Sequence, residues 1–391
     1  MINSVCGIRS TGRICTDLAN TLEKQGHTVK IAYGRELVPD QFERYAVRIG
    51  KNLDVKFHCI KARITDASGF GSKRATKEFI KWVNKYDPDV IHLHNIHGYY
   101  INIEILFEYL RNCGKQVIWT LHDCWPFTGH AAFCEGMNCK RWENGCYDCP
   151  NKRDYPTSFC DRSRHNWLRK RSIFADIPNL TIVTPSKWLA DLVSKSFLSR
   201  YPINVIYNEI DVNIFKSTKS DIKNRLGINE KKVVLGVAAF WTKRKGLNDL
   251  IKLSTILPRE YQIVIVGLSK KQKQSLPQSV MGIEKTNSIN ELVELYNAAD
   301  VFVNPTYEDN YPTTNLEAIA CGTPVVTYNT GGSSESASYY GIAVNKGDVS
   351  AIANVVMGMK FEDKRYPRIF GEGKWLEEYC DLYYTKADET K

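Results

Sequence analysis

The feature that most constrains the fold is a repeated alternation of short apolar runs with amphipathic stretches. Residues 29–33, 89–93 and 116–121 have the length and composition of buried β-strands. Between the last two, residues 101–110 carry apolar side chains at helical spacing, and Gly114 closes that helix. Strands that alternate with helices in this way predict a parallel sheet covered by helices, with right-handed crossovers.

The same alternation begins again after Asn208. Ser288 is a plausible cap for one of the new helices, and another helix follows Gly246. The strands predicted in this part of the chain are residues 232–237, 262–267, 301–303 and 324–327, and the capped helix and a later one are residues 288–296 and 314–321. A length of 391 residues accommodates a second α/β domain of this kind.

These patterns predict where the domains begin and end. An N-terminal α/β domain covers residues 1–207 and contains a cysteine-rich insert at 124–160. A second α/β domain covers residues 208–368, and residues 369–391 form a C-terminal helix that packs back on the first domain. Two such domains would face each other across a cleft at the carboxyl ends of their strands, where open parallel sheets bind ligands.

Composition and charge limit the class of protein. Apolar residues make up 43% and charged residues 25% of the chain, which is ordinary for a globular protein. No apolar run approaches the roughly 20 residues that span a bilayer, and the first residues do not resemble a signal peptide. We therefore expect a cytoplasmic protein. The net charge of +10 favours an anionic partner such as nucleotide phosphates, a lipid diphosphate or a membrane surface; no nucleic-acid motif accompanies it.

The densest chemical signal is residues 304–326, where a strand is followed by an acidic loop and then by a helix that Pro312 opens. A helix N-terminus attracts phosphate through its free amides. Glu317, expected in the first turn, could accept hydrogen bonds from ribose hydroxyls. The amides expected to face the phosphates are those of Thr313, Thr314 and Asn315.

This segment resembles the acid-x7-acid signature of the retaining glycosyltransferase family 4. The match lies in Leu-Glu-Ala at residues 316–318 and in Cys-Gly-Thr-Pro-Val at residues 321–325. The residue eight positions before Glu317 is Asp309, which Glu308 precedes. The resemblance implies that one of these two acids contacts the donor sugar during catalysis. The loop departs from the family's Glu-Gly-Phe-Gly, because its glycines are replaced by Asn310 and Pro312.

A second match to the family lies in residues 240–247, between a strand and a helix. The family has a lysine before a glycine here, and the resemblance implies that Lys245 reaches the donor diphosphate and takes part in catalysis. The family's further cation lies upstream, where this chain has two alanines at 238 and 239. Arg244 is the candidate that could replace it.

The N-terminal part resembles the family in a glycine-containing loop and at two strand ends. Gly7 and Gly12 let the backbone of the first loop approach the donor. The resemblance implies that His122 is the active-site histidine that contacts the donor sugar. Asp123 and His97 are expected on the acceptor side. His92 and His94 also lie on a strand that ends near the cleft, and a core role is at least as plausible for them.

The cysteines form a pattern of their own. Six of the chain's 12 cysteines lie between Cys124 and Cys160, and four follow the spacing Cys134-x4-Cys139-x6-Cys146-x2-Cys149. Four thiolates on a short insert predict a closed, structural zinc site. His130, Cys124 and Cys160 are alternative ligands, and four free thiols are the alternative to a metal site.

The resemblance implies retaining transfer of a sugar from a UDP- or GDP-sugar to a glycan or a polyprenyl-diphosphate-linked acceptor. The subgroup it indicates assembles capsule, O-antigen and exopolysaccharide. No catalytic metal is implied, because protein groups hold the phosphates. Such a protein would contact the inner face of the plasma membrane, and the basic stretch 162–171 with Trp167 and Leu168 is either a lipid-facing helix or a solvated surface.

The resemblance implies the GT-B fold, in which two Rossmann-like α/β domains face each other across a cleft. Two other functions share this fold. A GT-B epimerase or phosphorylase would use the same domains for a different reaction. A sugar-binding or scaffolding subunit would keep the fold without turnover. The acidic pair Asp309 and Glu317 argues against the second alternative, whereas the altered loop keeps it open.

Overall fold

The computed structural model describes residues 1–135, 137–359 and 373–384. These residues fold into two compact units. The first is Met1–Tyr207 together with the last described helix, and the second begins at Asn208. The predicted boundary between residues 368 and 369 lies outside the described residues.

The first unit is built on a parallel sheet of seven strands in the order β3-β2-β1-β4-β5-β6-β7. The order reverses between β1 and β4, so the chain winds outward from the middle of the sheet in both directions. The strands are β1 Ile2–Asn3, β2 Ile31–Tyr33, β3 Ala46–Arg48, β4 Val90–Leu93, β5 Gln116–Thr120, β6 Leu180–Thr184 and β7 Ile203–Val205.

Helices connect these strands, and one further helix comes from the far end of the chain. The helices of this unit are α1 Arg9–Lys24, α2 Asn52–Thr65, α3 Lys73–Tyr86, α4 Ile103–Asn112, α5 Ser163–Ile173, α6 Lys187–Ser194 and α14 Lys374–Tyr384. Helix α14 buries Trp375, Tyr379 and Tyr383 in one apolar cluster with Ile14 and Leu18 of α1.

The second unit repeats the plan with six parallel strands in the order β10-β9-β8-β11-β12-β13, so its order reverses between β8 and β11. The strands are β8 Lys232–Val237, β9 Tyr261–Val266, β10 Val280–Ile283, β11 Val301–Asn304, β12 Val325–Tyr328 and β13 Gly341–Val344. The helices are α7 Ile222–Leu226, α8 Leu247–Leu253, α9 Lys270–Gln274, α10 Ile289–Ala298, α11 Thr313–Ala320, α12 Ser333–Ala337 and α13 Val349–Gly358.

Local sequence accounts for these elements. The central strands are mostly apolar and buried because helices cover both faces of a parallel sheet. Ser288 caps α10 as predicted, since its hydroxyl accepts a hydrogen bond from the amide of Glu291 at 3.1 Å. No helix in the three described ranges is long and apolar enough to cross a bilayer.

Candidate active site

In the second unit, the candidate site lies where the strand order reverses. The loop after β8 contains a short 3-10 turn, Lys243–Lys245, and the loop after β11 carries the acidic residues. The two loops contact each other: the amide of Tyr307 donates to the carbonyl oxygen of Arg244 at 2.7 Å, and the Lys245 ammonium pairs with the Asp309 carboxylate. Open α/β sheets bind ligands at this point of reversal.

Glycines permit this close approach of the two loops. Gly246 has a φ of +74°, and a Cβ there would lie 2.1 Å from the carbonyl oxygen of Pro305. Gly331 has a φ of +55°, and its Cβ would lie 2.0 Å from the carbonyl oxygen of Asp309. Neither position accommodates a side chain, so backbone packs directly on backbone around the Lys245–Asp309 pair.

The ion pair is partly shielded from water. Burial lowers the pKa of Lys245, and the Asp309 carboxylate opposes that shift. For Asp309, burial alone would raise the pKa, but the charges of Lys245 and Arg244 outweigh it and the pKa is lowered. Asp309 is therefore ionised at neutral pH and holds a cation at the strand ends.

The structure separates the two candidate acids. The Asp309 carboxylate contacts Lys245. Glu308 is 1% exposed, and its backbone carbonyl accepts hydrogen bonds from the Arg244 guanidinium and from Thr306 Oγ1. Arg244 thus braces the acidic loop through main-chain atoms, while the side chain that touches the candidate phosphate ligand belongs to Asp309.

Helix α11 differs from the prediction in two details. Pro312 occupies the cap position, so Glu317 is the fifth helical residue and lies in the second turn, not the first. The amide of Asn315 donates to the carbonyl oxygen of Pro312 at 3.1 Å, which removes it from the set expected to face phosphate. Thr313 and Thr314 keep their place in the first turn, where helical amides have no intrahelical acceptor.

Glu317 is buried, and its partner was not predicted. The hydroxyl of Tyr296, on α10, donates to Glu317 Oε2 at 2.9 Å. The carboxylate is 3% exposed, so this hydrogen bond compensates part of the cost of burying it. Asn315 is also buried, where its side chain bonds to Asn304 at 2.8 Å and to Ser336 at 2.9 Å and fixes α11 to its neighbours.

In the first unit, the predicted glycines lie in the loop after β1. Gly7 has a φ of +71°, and a Cβ there would lie 2.4 Å from the ring of Phe42. Gly12 lies inside α1, where a Cβ would lie 3.1 Å from Val5 Cγ2. The amide of Gly7 donates to the carbonyl oxygen of Gly12 at 3.2 Å. The two predicted residues therefore fold the loop tightly upon the start of α1.

Four of the histidines and acids predicted from the strand ends meet in two pairs. His97 Nε2 lies 2.8 Å from Asp123 Oδ2, and the other ring nitrogen lies 3.0 Å from the hydroxyl of Tyr155. His94 Nδ1 lies 3.1 Å from His122 Nε2. Burial lowers the pKa of His122 to about 4, although Asp123 opposes the shift, so His122 is neutral at physiological pH.

His92 has a core role. Its two ring nitrogens lie 2.7 Å from the hydroxyl of Tyr383 and 2.8 Å from Thr120 Oγ1. Burial lowers its pKa well below the ordinary value, so it is neutral as well. It links β4 to α14. This is the core role that the sequence analysis left open for His92.

The cysteine insert does not form a complete metal site in this structure. Within the described residues, no three of the four predicted sulfurs lie within 4.8 Å of one another. They do share one neighbourhood: burial raises the pKa of Cys146 to about 11, and Cys139 and Cys134 add to that shift. Four cysteines are suitable ligands for zinc, whereas their sulfur atoms lie too far apart in this structure for tetrahedral coordination of one ion.

Together, two doubly wound parallel sheets, each with candidate site residues at its strand ends, make up the GT-B fold. A solved structure with this fold, Anabaena HepE in complex with UDP and glucose, matches 98% of both chains with a TM-score of 0.66 at 13% identity. The GT-B expectation is therefore confirmed.

Two family models place the chain. The model of Glycosyltransferase Family 4 matches residues 11–214, and that of Glycosyl transferases group 1 matches residues 231–359. The chain belongs to glycosyltransferase family 4, as its motifs indicated.

Two curated relatives come from polysaccharide assembly. The chain is 24% identical over 318 residues to the putative colanic acid biosynthesis glycosyl transferase WcaC of Escherichia coli K12, with 76% of each protein covered. It is 27% identical over 181 residues to the O-antigen chain mannosyltransferase RfbU of Salmonella typhimurium LT2, with 44% of this chain and 48% of RfbU covered. The protein is thus a glycosyltransferase similar to enzymes named for surface polysaccharides.

Proposed function

We propose that this glycosyltransferase transfers a sugar from a nucleotide-sugar donor to a glycan or polyprenyl-diphosphate-linked acceptor, with retention of anomeric configuration. The observation that carries the proposal is the Lys245–Asp309 ion pair at the reversal point of the second sheet. A ligand with two phosphates and a sugar fits this place, because a cation and the N-terminus of α11 adjoin an acid there.

The donor is a nucleoside diphosphate sugar, with UDP or GDP as its nucleotide. Lys245, with Arg244 beside it, neutralises the diphosphate, and the first-turn amides of Thr313 and Thr314 donate to its oxygens. Glu317 accepts from the ribose hydroxyls. The HepE structure in complex with UDP and glucose supports a donor of this class.

Charge stabilisation does most of the catalytic work. As the bond between the sugar carbon and the phosphate oxygen breaks, negative charge grows on the departing diphosphate, and Lys245 stabilises it more strongly than the bound donor. Asp309 orients that lysine before the donor arrives and then contacts the sugar, with Glu308 as the other candidate acid. Neutral His122 contacts the donor sugar, and His97 with Asp123 orients the acceptor hydroxyl.

The acceptor belongs to surface polysaccharide assembly, such as capsule or O-antigen. The names of WcaC and RfbU support this class. Lipid-linked acceptors reside in the membrane, so the enzyme works in the cytoplasm at the inner face of the plasma membrane.

A donor screen with and without acceptor tests the proposal. We expect binding of one UDP- or GDP-sugar by calorimetry and sugar transfer that depends on the polyprenyl-diphosphate acceptor. Product whose anomeric configuration is inverted would contradict retention. Free sugar released at the same rate without acceptor would indicate an epimerase, and donor binding without turnover would indicate a binding subunit.

Zinc at Cys134, Cys139, Cys146 and Cys149 stays a prediction. We expect about one equivalent in protein purified with reductant, lost when Cys146→Ser and Cys149→Ser are combined. Cys113→Ser, a half-buried thiol outside the insert, is the matched control and should keep the metal. Absence of zinc from the wild-type protein would contradict the prediction and leave four thiols in the insert.

A further inference from the structure

Helix α2 presents an apolar face to solvent. Its outward side chains recur at intervals of four, three and four residues, which places them on one stripe of an α-helix. The buried residues His58 and Ala62 lie on the opposite side and attach the helix to the unit. The stripe consists of Leu53, Phe57, Ile60 and Ile64, which are 61%, 70%, 55% and 59% exposed.

A neighbouring loop extends this face. Phe159 is 77% exposed. Its amide donates to the carbonyl oxygen of Arg63 at 2.8 Å, which holds the backbone of Phe159 beside the C-terminal end of α2. Single exposed apolar side chains are normal, but five that adjoin one another on a surface mark an interaction site.

Cations border the stripe on both sides. By helical geometry, Lys56 and Arg63 lie along one edge and Lys61 along the other, and all three are exposed. The helix has a single acid, Asp54, whose carboxylate accepts a hydrogen bond from the amide of Lys51 at 2.7 Å. An apolar stripe with a cationic border is the pattern of a helix that lies in the headgroup region of a membrane.

The predicted lipid-facing stretch, residues 162–171, lacks this pattern. Its tryptophan, Trp167, is 4% exposed and donates from Nε1 to the carbonyl oxygen of Trp142 at 2.8 Å. Lys170 is also buried and donates to the carbonyl oxygens of Trp125 and Thr128. Helix α5 therefore uses its aromatic side chain for packing within the unit.

We propose that α2, together with Phe159, docks the enzyme on an anionic lipid bilayer. The stripe enters the boundary between headgroups and acyl chains, while Lys56, Lys61 and Arg63 contact lipid phosphates. A second copy of this chain is a poorer occupant, because it would bring two cationic borders together. This inference assigns the membrane contact of the proposed function to one surface, and it rests on that proposed function.

Vesicle co-sedimentation of the full chain tests the proposal, with phosphatidylcholine vesicles that contain or lack phosphatidylglycerol. We expect binding only to the anionic vesicles, weakened by salt. Phe57→Ser with Ile60→Ser should lower partitioning at least about tenfold. Neutralising Lys56, Lys61 and Arg63 to Gln should lower it about a hundredfold at low salt.

Matched controls distinguish binding through this surface from nonspecific hydrophobic and electrostatic binding to vesicles. Leu37→Ser removes an apolar side chain that is 87% exposed, and it should leave partitioning unchanged. Changing Lys270, Lys271 and Lys273 of α9 to Gln removes the same charge from the other unit and should have little effect. All variants should keep the wild-type thermal midpoint, because the altered side chains are exposed.

Three outcomes overturn the proposal. The first two are no binding of the wild type to anionic vesicles and equal binding by the wild type and the α2 variants. The third is a wild-type dimer that the double variant Phe57→Ser with Ile60→Ser dissociates while lipid binding stays the same. Transfer to a short, soluble acceptor reports the catalytic proposal separately. Should docking alone be wrong, soluble-acceptor transfer persists while vesicle binding is absent. Should the transfer reaction be wrong, no variant or acceptor gives product, whatever the vesicles show.

Discussion

The surroundings of Lys245 indicate its chemical role most clearly. It pairs with Asp309 where the strand order reverses. We expect Lys245→Ala to lower kcat about a hundredfold to a thousandfold, with a smaller change in KM, because charge on the leaving diphosphate is greatest in the transition state. Steady-state kinetics measure both constants. Lys243→Ala removes an exposed lysine from the same turn and should be near wild type; a change confined to KM would reduce Lys245 to a binding residue.

Glu317 tests the nucleotide side of the same site. Glu317→Gln should weaken donor binding by about 1.5–3 kcal/mol, since a charged acceptor of ribose hydroxyls becomes a neutral one. Tyr296→Phe keeps the carboxylate but removes the hydroxyl bonded to it, so its loss should be smaller. Calorimetry with the donor compares the three proteins. Equal affinity of wild type and Glu317→Gln would remove Glu317 from the binding site.

His122 belongs to the first unit, so its removal should separate binding from transfer. We expect His122→Ala to fold, to bind the free nucleotide as the wild type does, and to lose transfer. His165→Ala, which removes an exposed histidine of α5, is the control and should retain activity. A fully active His122→Ala enzyme would shift the role to another histidine, and His94 at 3.1 Å is the nearest partner.

Among the elements, the two loops at the reversal point of the second sheet depend on backbone contact. Gly246→Ala places a Cβ 2.1 Å from the Pro305 carbonyl oxygen at a φ of +74°. Gly227→Ala has nearly the same φ, +68°, but nothing within 4 Å of the new Cβ. Both variants bear the left-handed strain of about 1–2 kcal/mol. Only Gly246→Ala should add a further loss of stability and lose donor binding.

Urea unfolding and donor calorimetry on both glycine variants give the comparison. Equal stability losses would mean that strain alone matters and that the loops can move apart. Normal donor binding by Gly246→Ala would show that the contact between the loops does not organise the site.

Sequence predicts elements better than it predicts contacts. The strands and the Ser288 cap follow from periodicity and from neighbours three residues apart, which are local properties of the chain. The turn assigned to Glu317 was wrong because Pro312 lies at the cap position instead of inside the helix. The partners of Glu317 and His92 were missed, since Tyr296 and Tyr383 lie 21 and 291 residues away in sequence and no motif connects them.

The whole molecule should lose stability in mild acid. Burial lowers the pKa of both His58 and His122 to about 4 from an ordinary 6.5. Between these values the unfolded chain binds protons that the folded chain does not, so stability is full above about pH 6.5 and falls as the pH decreases toward 4. At pH 5.5 each histidine should cost about 1.4 kcal/mol relative to neutral pH.

Urea unfolding at pH 7.5 and 5.5 checks this dependence. The free energy of unfolding should differ less between the two pH values in His58→Gln than in the wild type, by the contribution of one histidine. Both ring nitrogens of His58 are hydrogen-bonded, to Ser72 Oγ and the Gly71 amide, so the variant also loses stability at both pH values. An unchanged difference in His58→Gln would contradict the assignment.

Helix α14 gives the chain a particular order of assembly. It is made after the whole of the second unit, yet Tyr383 and Tyr379 reach back to His92 and Thr120 at the middle of the first sheet. The first unit must therefore wait, with one apolar patch uncovered, while all of the second unit is synthesised. A premature stop codon just before α14 would spare every candidate site residue and still release a protein with an open core, a target for chaperones and proteases.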